Sequence, residues 1–306
     1  MQVTFWGVRG SIPTPGKATV KYGGNTLCLS IEIPGRDRLV IVDAGSGIRR
    51  LGEHMLTRLP QIHRLSADLF LTHTHLDHIL GFPFFAPVYL SDSTLTVYGP
   101  VTCEEDSLEA ILGTQLSYRY FPIRQSELAA QIEYIDLMEG RLRLDAGLNV
   151  SSVYLNHPLL CLGYRFESNG RVVCTAFDNE PFQNVFSDRP RGESYSEDTV
   201  QTAESAVLEA NHRLGRFVYG ADLLIHDAQY TQREYEQGKR GWGHSSVEHA
   251  IRFATRNDVK RLALVHHDPA RSDADLDDLS VRYSQSSSAV GGMEVFFARE
   301  DMVVEV

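Results

Sequence analysis

The segment Asp68 to Leu71 reads as a short strand, and it runs straight into Thr72-His73-Thr74-His75-Leu76-Asp77-His78. Four side chains able to ligate a metal fall within six residues there, a density that a solvated turn has no reason to reach. No other stretch constrains the fold as strongly. On a turn after a strand, the alternate residues His73 and His75 point to one side, while Asp77 and His78 reach a second position nearby. One motif can thereby serve two metals. Neither set of ligands is complete, so the chain must bring further donors to the same edge.

The sequence offers those donors where other apolar runs stop. Val150 to Leu155 leads to His157, and Val172 to Ala176 leads to Asp178. Leu223 to Ile225 ends at His226 and Asp227, and Arg261 to Val265 ends at His266 and His267. Either His266 or His267 suits a metal, and a carboxylate such as Asp178 can bridge two ions by lending one oxygen to each. His226 either supports the site or caps its strand. His54, His63, His212 and His249 fall in expected helices without partners and stay outside the site.

The remaining pattern is one of short β-branched runs and amphipathic segments. Strands are expected at Val3 to Phe5, Thr26 to Ile33 and Leu39 to Val42, separated by glycine and proline turns. Thr94 to Tyr98, Gln131 to Ile135 and Leu142 to Leu144 read as further strands. Helices are expected at Ile48 to Leu65, Cys103 to Leu112, Thr199 to Arg213 and Ser245 to Thr255. This order implies an α/β sandwich with helices outside two sheets. No linker divides the 306 residues, so a single domain spanning 1–306 is expected, with the stretch 181–213 as a lid over the site or as decoration.

Composition bounds the partners. With 29 Lys and Arg against 40 Asp and Glu the net charge is −11, which excludes wrapping of a phosphate backbone by bulk charge. The N-terminal MQVTFWGVRGSIPTPG lacks the basic start and apolar run of a secretory signal, and no run of about 18 apolar residues suggests a membrane span. Cytoplasmic residence is the expectation. Cys28, Cys103, Cys161 and Cys174 form no CxxC pair and read as reduced thiols.

The HTHLDH run, its apolar strand and the upstream Asp43 of VDAGSG resemble the signature of the metallo-β-lactamase superfamily, whose fold is an αββα sandwich of two mixed sheets around a binuclear metal site. NHPLLCLGYRF, TAFDNE, LLIHDAQY, GHSSVEHA and LVHHDP resemble, in order, segments of its phosphodiesterase branch, which includes RNase Z and phosphoribosyl 1,2-cyclic phosphate phosphodiesterase. The resemblance implies that His73, His75 and His157 bind one metal, that Asp77, His78 and His266 bind the other, and that Asp178 bridges them. It selects His266 over His267, and it makes Asp43 a structural partner of the histidine turn. Zinc is the implied metal, with manganese and iron compatible with the same donors. Asp77 is counted as catalytic together with Asp227 and His244, which resemble an acid-plus-histidine pair facing the phosphate. A carboxylate fixes the tautomer of such a histidine, which then donates a proton. Arg9 and Ser11 occupy a loop resembling the family's first loop near the metals, and Trp242 either stacks on a base or sugar or packs in the core.

Two metals sharing a hydroxide and neutralising phosphoryl oxygens suit phosphodiester hydrolysis. RNase Z carries a protruding RNA-holding arm between its third-motif histidine and its bridging aspartate. Here His157 and Asp178 lie 21 positions apart, too few for such an arm. A small cyclic or short phosphodiester is therefore the expected substrate, long nucleic acid is not an expected partner, and the resemblance implies a homodimer. An RNase Z-like nuclease, a thiol-ester or lactone hydrolase and a non-catalytic nucleotide-sensing member are the alternatives.

Overall fold

The computed structural model describes residues 1–58, 64–100, 106–186, 195–287 and 292–306. In the first half, β1 (Gln2–Gly7), β2 (Cys28–Glu32) and β3 (Leu39–Val42) form an antiparallel meander. Helix α1 (Ile48–Thr57) then leads to β4 (Leu65–Phe70), the short α2 (Leu76–Ile79), β5 (Ser93–Pro100), α3 (Leu108–Gln115) and β6 (Gln131–Leu137). From β3 to β6 the neighbours are parallel. The second half repeats the plan. Antiparallel β7 (Gly140–Arg143), β8 (Asn149–Tyr154), β9 (Leu162–Ser168) and β10 (Arg171–Ala176) precede α4 (Glu197–Val218), β11 (Leu223–Asp227), α5 (Gln232–Glu236), α6 (Val247–Arg256), β12 (Arg261–Val265), α7 (Asp273–Ser287) and β13 (Glu294–Phe297). From β10 to β13 the neighbours are again parallel. Finally β14 (Val303–Glu305) returns to pair with β1, giving two mixed sheets of seven strands each.

Strand alternation sorts the side chains into layers. Val173, Ile225 and Ala263 point between the sheets, where they meet Phe5, Ile31, Val42 and Phe70 of the other sheet. Their neighbours Cys174, Leu224, Leu262 and Leu264 point outward to Ala250, Ala254, Leu276 and Leu279 of the covering helices. On the opposite outer face, Ile48, Leu51 and Met55 of α1 cover Ile41 and Leu69. The expected α/β sandwich with outer helices is thus the observed one.

Some boundaries differ. The helix expected to reach Leu65 ends at Thr57, and Leu65 opens β4; residues 59–63, which include His63, lie outside the described residues. The helix expected from Cys103 begins at Leu108, where the Ser107 hydroxyl accepts the Ala110 N–H, and Cys103 lies outside the described residues. The expected 199–213 helix runs from Glu197 to Val218, capped at its start by Ser196. No boundary therefore falls at 213, and the stretch 187–194 within the expected lid lies outside the described residues. Sequence reading missed α7, β13 and β14. The apolar face of α7 is only Leu276, Leu279 and Tyr283, set in an acidic helix, and β14 gains its partner from the far end of the chain.

Candidate metal centre

The parallel strands stop in step. Val42 of β3 sits beside Phe70 of β4, and Ala176, His226 and Leu264 align across β10, β11 and β12, so the residues that follow gather at one edge. Open parallel sheets place their ligand sites at such carboxyl ends. Asp43, Asp178 and His266 each follow a strand with φ of 62°, 50° and 60°, the left-handed region that typically costs about 1–3 kcal/mol per non-glycine residue. That conformation turns the chain sharply. The Tyr164 hydroxyl donates to the Leu71 carbonyl (2.5 Å), tying the second sheet to the histidine turn.

Two groups of donors form there. His73, His75, His157 and Asp178 offer atoms within 4.8 Å of one another, and so do Asp77, His78 and His266. Asp178 faces both. Its Oδ2 lies 3.5 Å from His73 Nε2 and 3.8 Å from His157 Nε2, while its Oδ1 lies 3.3 Å from His78 Nε2 and 3.2 Å from His266 Nε2. Asp77 Oδ2 lies 3.4 Å from both His78 and His266 and accepts the Ser11 N–H at 2.7 Å.

Neighbouring groups fix the tautomers. The His78 Nδ1–H donates to Asp43 (2.7 Å), and the Thr72 hydroxyl, which donates to the same carboxylate, accepts the His73 Nδ1–H at 3.1 Å. Asp43 thus orients one histidine of each group. The His157 Nδ1–H donates to the Gly243 carbonyl at 3.1 Å. The opposite nitrogens are left as lone pairs that converge, as metal-binding imidazoles require.

A cation fits these residues on three observations. His78 Nε2, His266 Nε2 and Asp178 Oδ1 are buried without a hydrogen-bond partner, a state that native cores avoid. His75 Nδ1 faces His73 Nε2 at 3.0 Å and His157 Nε2 at 3.1 Å, although it carries at most one proton. Burial also pushes His73, His75 and His157 down, His157 to about 4, so all three are in the neutral, ligating form near pH 7. His78 behaves oppositely. Burial disfavours its charge, yet Asp178, Asp77 and Asp43 outweigh that and hold it well above the ordinary histidine value. The pocket therefore favours positive charge.

Beside this centre the His244 Nδ1–H donates to Asp227 at 2.8 Å, and the His244 ring stacks on His266 with centroids 4.6 Å apart. Burial alone would lower His244; the Asp227 carboxylate overrides it and raises the ring to about 9. An imidazolium is a proton donor, not a metal ligand.

Sequence reasoning missed several residues that shape the site. Glu180 accepts the Gly241 and Gly243 N–H groups, both at 2.9 Å, and the Tyr235 hydroxyl at 2.5 Å, and so anchors the loop that orients His157 and carries His244. A Cβ on Gly10 would lie 2.2 Å from His266 Nδ1, and one on Gly243, whose φ is +84°, would lie 2.3 Å from His157 Nδ1. Neither site has room for a larger residue. Cys161 Sγ lies 3.8 Å from His73 Nδ1, but burial holds its thiol well above the ordinary value, so it packs as a neutral group; Cys28 and Cys174 are buried and free as well.

Other candidates lie elsewhere. The His267 Nε2–H donates to the Ala298 carbonyl, and its ring packs near Tyr22 and Phe297, away from the donors that His266 joins. His226 points to the helix side of the sheet, near His249 and Phe253, while Asp227 faces the centre. Arg9 is buried and donates to the carbonyls of Gly23, Asp268 and Arg271, a structural tie rather than a site contact. Trp242 is 55 % exposed under the Lys239 ammonium, so it is no core residue. His54 packs at a tilt against Trp6, and His212 is exposed on α4.

No family model matches the chain. Ribonuclease Z of Synechococcus sp. (strain CC9311) is 28 % identical over 293 residues, covering 88 % of each chain. The crystal structure of the metallo-β-lactamase fold protein YhfI from Bacillus subtilis is 18 % identical with a TM-score of 0.64, covering 100 % of this chain and 99 % of that one. A diphosphatase from the PhnP family is 16 % identical with a TM-score of 0.62, covering 100 % of this chain and 97 % of that one. Two seven-stranded mixed sheets with a histidine-aspartate edge and these likenesses give the chain the metallo-β-lactamase fold. In sequence the chain is similar to ribonuclease Z, and in fold to the PhnP-family diphosphatase. Among the described residues no helix is long and apolar enough to cross a membrane.

Proposed function

We propose that the chain is a binuclear metal-dependent phosphodiesterase that hydrolyses a small cyclic or short phosphodiester. One observation carries the reading: buried, unpartnered ligand atoms of His78, His266 and Asp178 converge beside the histidine triad, next to a histidine held protonated by Asp227. His73, His75 and His157 would hold one divalent ion and Asp77, His78 and His266 the other, with Asp178 placed to serve both. Zinc suits these donors. Bound there, the ions would supply activation of a water and neutralisation of charge on the phosphoryl oxygens.

The chain's own groups do the rest. Asp43 and the Gly243 carbonyl hold the ligating rings in place. A nitrogen of His244 lies within 4.8 Å of ligand atoms on Asp178 and His266, where it reaches a phosphoryl group and gives its proton to the leaving alkoxide. Asp227 keeps that proton available.

A second reading, an RNase Z-like nuclease, is favoured by the relative that bears that name, which also stands against the expectation that long nucleic acid is no partner. Against it, β9 and β10 are joined by a tight hairpin turning at Asn169 and Gly170, with φ of 51° and 73°, and no arm lies between His157 and Asp178. The discriminating experiment incubates purified, metal-loaded protein with cyclic nucleotides, cyclic ribose phosphates, short oligoribonucleotides and precursor transfer RNA. Turnover is expected on the small and short substrates. Efficient removal of the transfer RNA tail would reverse the ranking.

A further inference from the structure

On the outer face of the second sheet, α4 and α6 leave a groove of about 680 Å³ between them. Arg252 and Arg256 line it from α6, and Arg216 lines it from α4. Phe253 and the exposed ring of Tyr219 interleave with these cations. The groove is a local reversal in a chain of net charge −11. Elsewhere many arginines are neutralised by carboxylates, as Arg36 and Arg38 are by Asp68. Among the described residues, neither Arg252 nor Arg256 has a carboxylate partner. Glu209 pairs with Arg216, and the nearby Asp258 is engaged by the Tyr219 hydroxyl.

Helix dipoles do not account for the set. Arg216 and Arg256 stand in last helical turns, where cations are favoured, but Arg252 stands a turn earlier. The end carbonyls of α4, those of Phe217 and Tyr219, already accept from Arg165. His249, in the groove floor, is lowered to about 3 by burial and adds no charge.

Position links the groove to the metal centre. A second cleft of about 610 Å³ lies beside His157 and Gly243, and Pro181 forms a wall of both spaces. We propose that the groove binds the phosphate backbone of a short single-stranded oligonucleotide whose reacting phosphodiester lies at the metal centre. This rests on the function proposed above and makes the substrate class an oligonucleotide. From His249 to Arg256 the groove follows about 10 Å of helix, room for about three stacked nucleotides. Arginines with interleaved aromatic rings are the usual means of holding such a strand without reading its sequence.

The test uses metal-loaded protein, wild type and R252Q/R256Q, whose altered side chains are both exposed. A fluorescent phosphorothioate pentanucleotide reports binding, and a pentaribonucleotide and bis(p-nitrophenyl) phosphate report hydrolysis. The double variant is expected to weaken pentanucleotide binding by about tenfold and to reduce the slope of log K against log salt by about 1.4. KM for the pentaribonucleotide should rise while turnover of bis(p-nitrophenyl) phosphate stays unchanged, and R252K/R256K should keep most of the binding. Equal affinity and equal salt slope in wild type and R252Q/R256Q would overturn the groove assignment. Failure of every preparation to hydrolyse any phosphodiester would instead overturn the proposed function, and the binding arm would still decide the groove.

Discussion

Asp178→Ala is expected to reduce bound metal from about two ions per chain to one or none and to lower phosphodiester turnover by about a thousandfold or more. The expectation follows from geometry. Asp178 is buried, and each of its oxygens faces a different group of histidines at 3.2 to 3.8 Å. Removing it would take one donor from both proposed ions at once and would leave Asp77 as the carboxylate remaining in the two groups. The variant also places alanine at φ of 50°, so a loss of activity alone would be ambiguous. Asp178→Asn separates the causes, because asparagine tolerates the left-handed region and keeps the shape while losing the charge. If elemental analysis finds two ions retained in both variants, Asp178 does not bridge.

His244→Ala is expected to slow hydrolysis of an alkyl phosphodiester by about 10²–10³-fold, while bis(p-nitrophenyl) phosphate slows only severalfold. An alkoxide needs a proton to leave and a nitrophenolate does not. Equal losses on both substrates would show that His244 binds the phosphoryl group rather than donating a proton. The pH dependence carries the same sign. Because Asp227 raises His244 to about 9, the donor is present at neutral pH and is lost as pH rises through that value. Two bound dications lower the limit, since nearby positive charge disfavours the imidazolium. Turnover of the alkyl ester should therefore fall on an alkaline limb that His244→Ala abolishes.

What could be read in the sequence, and what could not, divides along a physical line. The histidine turn, Asp178 and Asp227 are polar side chains placed where apolar runs stop, and that contrast is visible in a string of letters. The sandwich was legible for the same reason, since strands buried on both faces leave continuous apolar runs. Glu180 and Gly10 were not legible. Glu180 acts on backbone N–H groups 61 and 63 positions away, and Gly10 acts by having no side chain against His266; neither contribution has a local pattern. The His226 and Asp227 pair shows the limit of type alone, because strand alternation sends one to the helices and the other to the centre. The arginine groove escaped for a related reason. Arg216 and Arg252 are far apart in sequence, and no basic run announces them.

Crystals of the metal-loaded protein, measured at the absorption edge of the bound metal, test the central claim most directly. Two anomalous peaks are predicted on opposite sides of the Asp178 carboxylate, one ringed by His73, His75 and His157 and the other by Asp77, His78 and His266. A single peak, or peaks away from these two groups, would contradict the account.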